Sequence, residues 1–332
     1  MPLALVSKQF IATYGDKLNT TVKNAGKSLT FMTLPEAPGA RLSPADRDHV
    51  DCIFLDRDMR FNEQLHAAYA DALLQTKNLK WVHYTSSGIG QQLHVAELNA
   101  KGVITTSSTG SNAEPVSQTG ITGLMMLARG FGSHIRGQCK HEWNPLRGAA
   151  LPDDLRGQTL LLIGVGAIGK KVAAYAQMFG LKVIGVRRGA REAADTVDEL
   201  HPPSKLPELY PRADWIMLCC PLTKDTENLL NADAFRRMKK GAKLINIARG
   251  EIVNEAALID ALGGGPLGGA YLDAHAQEPL PADSPLWDMP NVIISPHNAS
   301  ASTGNEPRCA EMFIDNFGHW VRGEPMFNVQ KF

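Results

Sequence analysis

Cysteine is scarce. The chain of 332 residues holds five (Cys52, Cys139, Cys219, Cys220 and Cys309), scattered and in no C-x-x-C pair, which argues against a disulfide framework and a zinc site. An excess of one charge is lacking too: Lys+Arg and Asp+Glu are each 34, so no net field draws the molecule to nucleic acid or an anionic membrane. Long hydrophobic runs are missing, since the longest apolar-plus-glycine stretch, Leu160 to Gly169, has ten residues where a membrane span needs about 20. The first residues carry no basic flank and their apolar run breaks at Ser7-Lys8, so no signal peptide is read and a reducing cytoplasm is the expected location. Internal repeats, low-complexity segments and motifs for metals, acyl-transfer nucleophiles or nucleic-acid modules are absent, so neither a metal nor a nucleic-acid or membrane partner is expected.

What remains is an ordinary globular composition, 44% hydrophobic and 20% charged, which excludes a disordered chain. At roughly 100–200 residues per domain the length suggests two domains. Short apolar, β-branched runs alternate with helical patterns, the signature of an α/β fold with parallel sheets. In the first third the spacing predicts strands at Leu3–Val6, Leu29–Leu34, Cys52–Leu55, Trp81–Tyr84 and Val103–Thr105, with a helix over Phe61–Thr76. A polar, punctuated connection follows at Pro145–Gly157. A second series reads Leu160–Ile163, Val183–Val186, Trp215–Cys220, Leu244–Ala248, Ala270–Leu272 and Val292–Ile294, with a weaker candidate near Thr196–Leu200 and a last helix at Glu311–Val321. Near-continuous apolar runs suit strands buried on both faces.

One motif stands in the context that gives it meaning. Gly164, Gly166 and Gly169 form a G-x-G-x-x-G between the strand Leu160–Ile163 and an amphipathic helix, and Val183–Val186 completes a βαβ unit. Gly164 permits a tight turn, Gly166 lets the backbone approach a pyrophosphate, and Gly169 allows close helix–strand packing, while the helix N-terminus offers N–H groups. An NAD-type site has an acidic residue at the end of the second strand; here stand Arg187, Arg188 and, after a turn, Arg191, with no carboxylate read as competing. Guanidinium groups suit a 2′-phosphate, so NADP(H) is expected over NAD(H), which stays possible if Arg187 points into water.

Ligands of open α/β sheets bind beyond the carboxyl ends of the strands. Arg249 follows one apolar strand, Glu278 lies five residues beyond Asp273 at the end of another, and His297 follows a third. Each suits hydride transfer to a 2-keto acid. Arg249 can hold carboxylate and carbonyl oxygens in a planar fork. His297 can donate and remove the hydroxyl proton, and Glu278 can orient the imidazole and favour its protonated form. Asp273 reads as a cofactor-contacting or supporting carboxylate.

These residues, in this order, resemble the D-isomer-specific 2-hydroxyacid dehydrogenase family. The resemblance runs through Leu155–Thr159, Gly164–Gly169, Pro221-Leu222-Thr223 with Thr226, Met238–Ala242, Ile245–Gly250, Asp273 with Glu278-Pro279-Leu280, Ser295-Pro296-His297, and Gly323-Glu324-Pro325 with Asn328. It implies catalytic positions at Arg249, Glu278 and His297. It implies cofactor contacts that include Ala167, Ile168, Pro221, Thr226, Ala248 and Asp273, and a substrate-carboxylate loop at Ser87, Gly88, Ile89 and Gly90. The implied fold is a Rossmann cofactor domain (114–298) inserted into a flavodoxin-like substrate domain (1–113 and 299–332), the two closing on substrate. The implied assembly is a homodimer through the cofactor domains, largely by the helix beginning near Glu114, and Trp143 is a candidate for reaching the pocket. The expected activity is reduction of a small anionic 2-keto acid, glyoxylate or hydroxypyruvate first, to a D-2-hydroxy acid. A dinucleotide-sensing corepressor and a formate- or phosphite-type dehydrogenase on the same fold are the alternatives. Departures fall in the N-terminal domain, where Gln92 stands for a common Asp and Val116-Ser117-Gln118-Thr119 for a usual V-A-E-H.

Overall fold

The structure, a computed structural model, describes every residue except 36, 38, 57, 58, 60, 61, 87–93, 194 and 332, and the side chains of 63, 64, 66 and 149 are also left undescribed. The chain divides into two compact units, Met1–Asn112 with Ser302–Phe332, and Ala113–Ala301. Among the described residues no helix is long and apolar enough to cross a membrane.

The first unit is built on strands β1 (Leu3–Leu5), β2 (Thr30–Met32), β3 (Cys52–Leu55), β4 (Trp81–Tyr84) and β5 (Ile104–Ser107). They run parallel in the order β2-β1-β3-β4-β5, the flavodoxin-like order. Alternation along β3 feeds two cores: Ile53 and Leu55 face one layer, Cys52 and Phe54 the other. The second layer is closed by the first helix, Lys8–Asn24, and the last, Asn305–Arg322, whose Phe313 stacks on Phe54 with ring centroids 4.5 Å apart. That last helix begins six residues before the expected Glu311. Pro307 lies in its first turn, where the missing N–H costs nothing, and the apolar periodicity becomes visible only later. The sheet also carries a strand not read from the sequence: Val329–Gln330 pairs antiparallel with β5. Two residues are too few to show a period.

The second unit holds β6 (Thr159–Ile163), β7 (Lys182–Val186), β8 (Glu199–His201), β9 (Trp215–Leu218), β10 (Ala242–Asn246), β11 (Leu267–Leu272) and β12 (Val292–Ile294). All pair in parallel, in the order β8-β7-β6-β9-β10-β11-β12, the Rossmann arrangement with one strand added. Leu161 and Ile163 enter one core and Leu160 and Leu162 the other, which is why β6 reads as an unbroken apolar run. The strand order reverses between β6 and β9. There Cys219 N–H donates to the Ile163 carbonyl at 2.8 Å, so the chain segments leaving both strands start side by side at the crevice where such sheets bind ligands.

Candidate active site

The glycine turn follows β6 directly. Gly164 has φ +105°, and a Cβ there would meet the Cys219–Cys220 backbone at 2.6 Å; a Cβ on Gly169 would collide with the Gly164 carbonyl. Both positions therefore require glycine. Gly166 differs, since a Cβ on it would meet nothing within 4 Å. It N-caps the helix Ala167–Met178 without any side-chain cap, and the first turn holds no acidic residue. The N–H groups of Ala167, Ile168 and Gly169 thus open onto a space that a side chain at 166 would fill, the donor set and the room that a pyrophosphate needs.

At the end of β7 the structure corrects the sequence reading of Arg187 as a guanidinium without competitors. Its side chain is 13% exposed and lies against the glycine turn, donating to the Val165 carbonyl at 3.3 Å. It pairs with the fully buried Asp195 carboxylate at 2.9 Å and with Glu192 at 3.4 Å. Lys170, on the first turn of the helix, reaches the same two carboxylates at 2.6 and 3.6 Å. Hydrogen bonding from Lys170 holds the Glu192 carboxyl below its usual range, and the Glu192 amide does the same for Asp195 against the opposing effect of burial. Arg188 is largely exposed, 4.0 Å from Asp225, and Arg191 donates to the Val197 carbonyl at 2.6 Å. Glu192 and Asp195 stand five and eight residues past Arg187, but their meeting depends on how the loop folds back, which the sequence does not record.

Past β9, the Thr226 hydroxyl accepts from Thr223 N–H at 2.7 Å and donates to the Pro221 carbonyl at 2.8 Å, so Pro221 and Thr226 belong to one braced turn beyond the switch point.

Arg249, Glu278 and His297 leave three neighbouring strands, β10, β11 and β12, at their carboxyl ends. β10 ends at Asn246, two residues short of the expected Ala248. The buried Asn246 side chain braces the turn that follows, accepting from Ala248 N–H at 3.0 Å and donating to the Arg249 carbonyl at 2.9 Å. Arg249 itself is exposed, its guanidinium touching the Ala248 carbonyl at 2.7 Å and no carboxylate among the described residues. A Cβ on Gly250 would collide with the His275 and Ala276 backbone, so the Arg249 turn lies directly against the segment that carries Glu278.

Glu278 and His297 form a pair. Glu278 Oε2 lies 2.7 Å from His297 Nδ1, while Oε1 accepts from the His275 amide at 3.0 Å. Burial opposes ionisation of Glu278, but the His275 amide and the His297 imidazole together outweigh it and hold the carboxyl below its usual range. Asp273, read as a cofactor-contacting or supporting carboxylate, is 1% exposed and accepts from Ser295 Oγ at 2.6 Å and from the Asn298 and Ala299 amides at 2.9 Å. Tyr271 Oη lies 2.7 Å from the same Ser295 hydroxyl, and His297 N–H donates to the Asp273 carbonyl at 2.8 Å. These contacts fix the loop on which His297 takes a left-handed φ of +49°. Sequence reasoning passed over Asn246, Tyr271 and Ser295 as positioning groups because their partners are set by sheet register. The expected substrate loop, Ser87, Gly88, Ile89 and Gly90, lies outside the described residues.

The family model for the D-isomer specific 2-hydroxyacid dehydrogenase NAD binding domain matches residues 121–299, the span that carries the glycine turn, Arg249, Glu278 and His297. The chain belongs to the D-isomer-specific 2-hydroxyacid dehydrogenase family. Among its relatives, a glyoxylate reductase of Korarchaeum cryptofilum is 35% identical over 239 residues, 70% of each chain. A solved D-isomer specific 2-hydroxyacid dehydrogenase family protein of Aeromonas salmonicida is 30% identical, with a TM-score of 0.75 over 99% of this chain and 98% of that one. A solved D-isomer specific 2-hydroxyacid dehydrogenase of Xanthobacter autotrophicus, in complex with NADPH and MES, is 25% identical, with a TM-score of 0.71 over 99% and 98% of the two chains. This D-2-hydroxyacid dehydrogenase is an oxidoreductase with a Rossmann NAD-binding domain.

Proposed function

We propose that the enzyme reduces small 2-keto acids, glyoxylate or hydroxypyruvate first, with NADP(H) preferred to NAD(H), and yields D-2-hydroxy acids where the product is chiral. The observation that carries this reading is the 2.7 Å contact between Glu278 Oε2 and His297 Nδ1 at the carboxyl edge of the dinucleotide-binding sheet. It ties one ring nitrogen to a carboxylate and leaves Nε2 without a protein partner among the described residues. His297 is then the general acid, giving its Nε2 proton to the carbonyl oxygen while Glu278 keeps the ring oriented and offsets its positive charge. Arg249, exposed and paired with no carboxylate among the described residues, takes the substrate carboxylate and steadies the carbonyl oxygen as it gains charge. Bound reduced nicotinamide supplies the hydride that the carbonyl carbon receives. Gly164, Gly166, Ala167, Ile168 and Gly169 would hold its pyrophosphate, with Pro221, Thr226 and Ala248 lining the same edge. The exposed Arg188 and Arg191 support the NADP(H) preference, as does the NADPH in the Xanthobacter relative.

Residues 114–298 serve as the cofactor domain, and 1–113 with 299–332 as the substrate domain. The enzyme works in the cytoplasm as a homodimer through its cofactor domains, a reading supported by the unpaired cysteines and by exposed Phe131, Ile135 and Trp143.

A panel of 2-keto acids assayed with NADPH and NADH side by side tests the activity. Turnover of short keto acids is expected, with kcat lowered roughly 10²-fold or more in His297→Gln. Near-normal turnover in that variant removes His297 from the proton transfer, and a silent panel turns the reading toward a binding protein.

A further inference from the structure

The four charged side chains beside the glycine turn have consequences beyond holding the loop. Arg187 and Lys170 supply two positive charges and Asp195 and Glu192 two negative ones, all within 2.6–3.6 Å contacts. The set is neutral as it stands. A 2′-phosphate carries a charge of about −1.5 to −2 at neutral pH, so its entry would leave the two cations facing about 3.5–4 negative charges. One carboxylate has to leave. Asp195 is unsuited to that: its side chain is fully buried, and it accepts from the Glu192 amide at 2.6 Å and from Arg187 at 3.1 Å. Glu192 is suited to it, being 61% exposed and with its carboxylate held, among the described residues, through its two cationic partners.

The requirement reverses for a ribose with a free 2′-hydroxyl. Such a ribose needs an acceptor at the end of the second strand, and residue 187, an arginine, cannot provide one. A carboxylate that sits on Arg187 and Lys170 and stays partly open to solvent does provide it. We infer that Glu192 is the residue that sets the choice between NAD(H) and NADP(H): in place, it accepts from the 2′-hydroxyl, and displaced, it releases Arg187 and Lys170 to the 2′-phosphate. Arg188 and Arg191 then add positive charge nearby without deciding the choice, while Asp195 keeps Arg187 positioned in both cases. The inference rests on the proposed binding of NADP(H) at the glycine turn, which puts the adenosine ribose at the end of β7 beside Arg187.

The test uses the full-length enzyme and two cofactor fragments, 5′-ADP and 2′,5′-ADP, titrated by calorimetry into wild type and Glu192→Gln. Glutamine keeps the side-chain length and a hydrogen-bond acceptor but removes the charge. The expected result is about tenfold tighter binding of 2′,5′-ADP by the variant with no gain for 5′-ADP, a size that suits one solvent-screened charge. The ratio of kcat/KM for NADPH over NADH should rise by a similar factor. If 2′,5′-ADP affinity and the ratio both stay within about twofold, Glu192 does not set the choice. If in that case wild type still favours NADPH, the cofactor reading stands and only the Glu192 assignment falls. A wild type that favours 5′-ADP, and a variant that moves toward 2′,5′-ADP, would uphold the role of Glu192 while overturning the NADP(H) preference of the native enzyme.

Discussion

Glu278 shows how two opposing effects are resolved within one carboxyl group. Partial burial alone would raise its pKa, yet the His275 amide and the His297 imidazole bring it below the usual range. The sign of the consequence follows. A carboxylate with a depressed folded pKa keeps its contribution above the ordinary carboxyl value near 4.3 and loses it only as pH falls through the lower, folded value. The Glu278 carboxylate that holds His297 therefore stays ionised through the mildly acidic range, and reduction should show no acid limb from its loss between about pH 5 and 7. Glu278→Gln separates charge from geometry, because the amide oxygen can still accept from Nδ1–H while the negative charge is gone. The kcat for keto-acid reduction should fall roughly tenfold at pH 7.5, because the imidazolium that gives its proton loses its counter-charge. An unchanged kcat in this variant would mean that the carboxylate only holds the loop.

The turn after β6 supports a prediction at the scale of the element, because its glycines are required for different reasons. At Gly169 a Cβ would overlap the Gly164 carbonyl, and backbone cannot swing away as a side chain can. Gly169→Ala should therefore cost about 1–3 kcal/mol of stability and weaken NADH binding as well. At Gly166 the same methyl group meets open space, so Gly166→Ala should melt like wild type yet bind NADH at least roughly tenfold more weakly, since the methyl occupies the approach of the pyrophosphate. Thermal melts and NADH fluorescence titrations of the two variants distinguish these effects; equal binding by Gly166→Ala and wild type would remove the pyrophosphate from this space.

The turn and the strand ends beyond it are legible in the sequence because a strand buried on both faces is a continuous apolar run, and a polar residue at its carboxyl end marks the binding edge. Arg187 is legible only as a position. Its neutralisation by Glu192 and Asp195 depends on how a loop folds back on the helix carrying Lys170, and no periodicity records that. The same limit hides Asn246, Ser295 and Tyr271, whose partners come from neighbouring strands, and the edge strand Val329–Gln330, whose two residues carry no pattern.

Over the whole molecule, the balance of 34 basic and 34 acidic residues leaves no long-range charge to oppose self-association, so apolar surface decides whether chains pair. Isolated exposed apolar residues are normal on a monomer. Between the helix Ala113–Ala128 and β6, however, Phe131 is 49% exposed, Ile135 43%, Trp143 95% and Leu151 63%. Phe131 and Ile135 are four residues apart on the helix Phe131–Cys139 and so share a face. Aromatic anchors of this kind carry most of the energy of protein interfaces, and burying each large apolar side chain favours association by about 1.5–3 kcal/mol. The wild-type enzyme should therefore sediment at twice its chain mass of 36.0 kDa. Phe131→Asp combined with Trp143→Ala places a charge in one anchor position and empties another, and should yield a species near 36.0 kDa with unchanged far-ultraviolet circular dichroism. A double variant that still sediments as a dimer would exclude this surface as the interface, and a monomeric wild type would exclude the dimer itself.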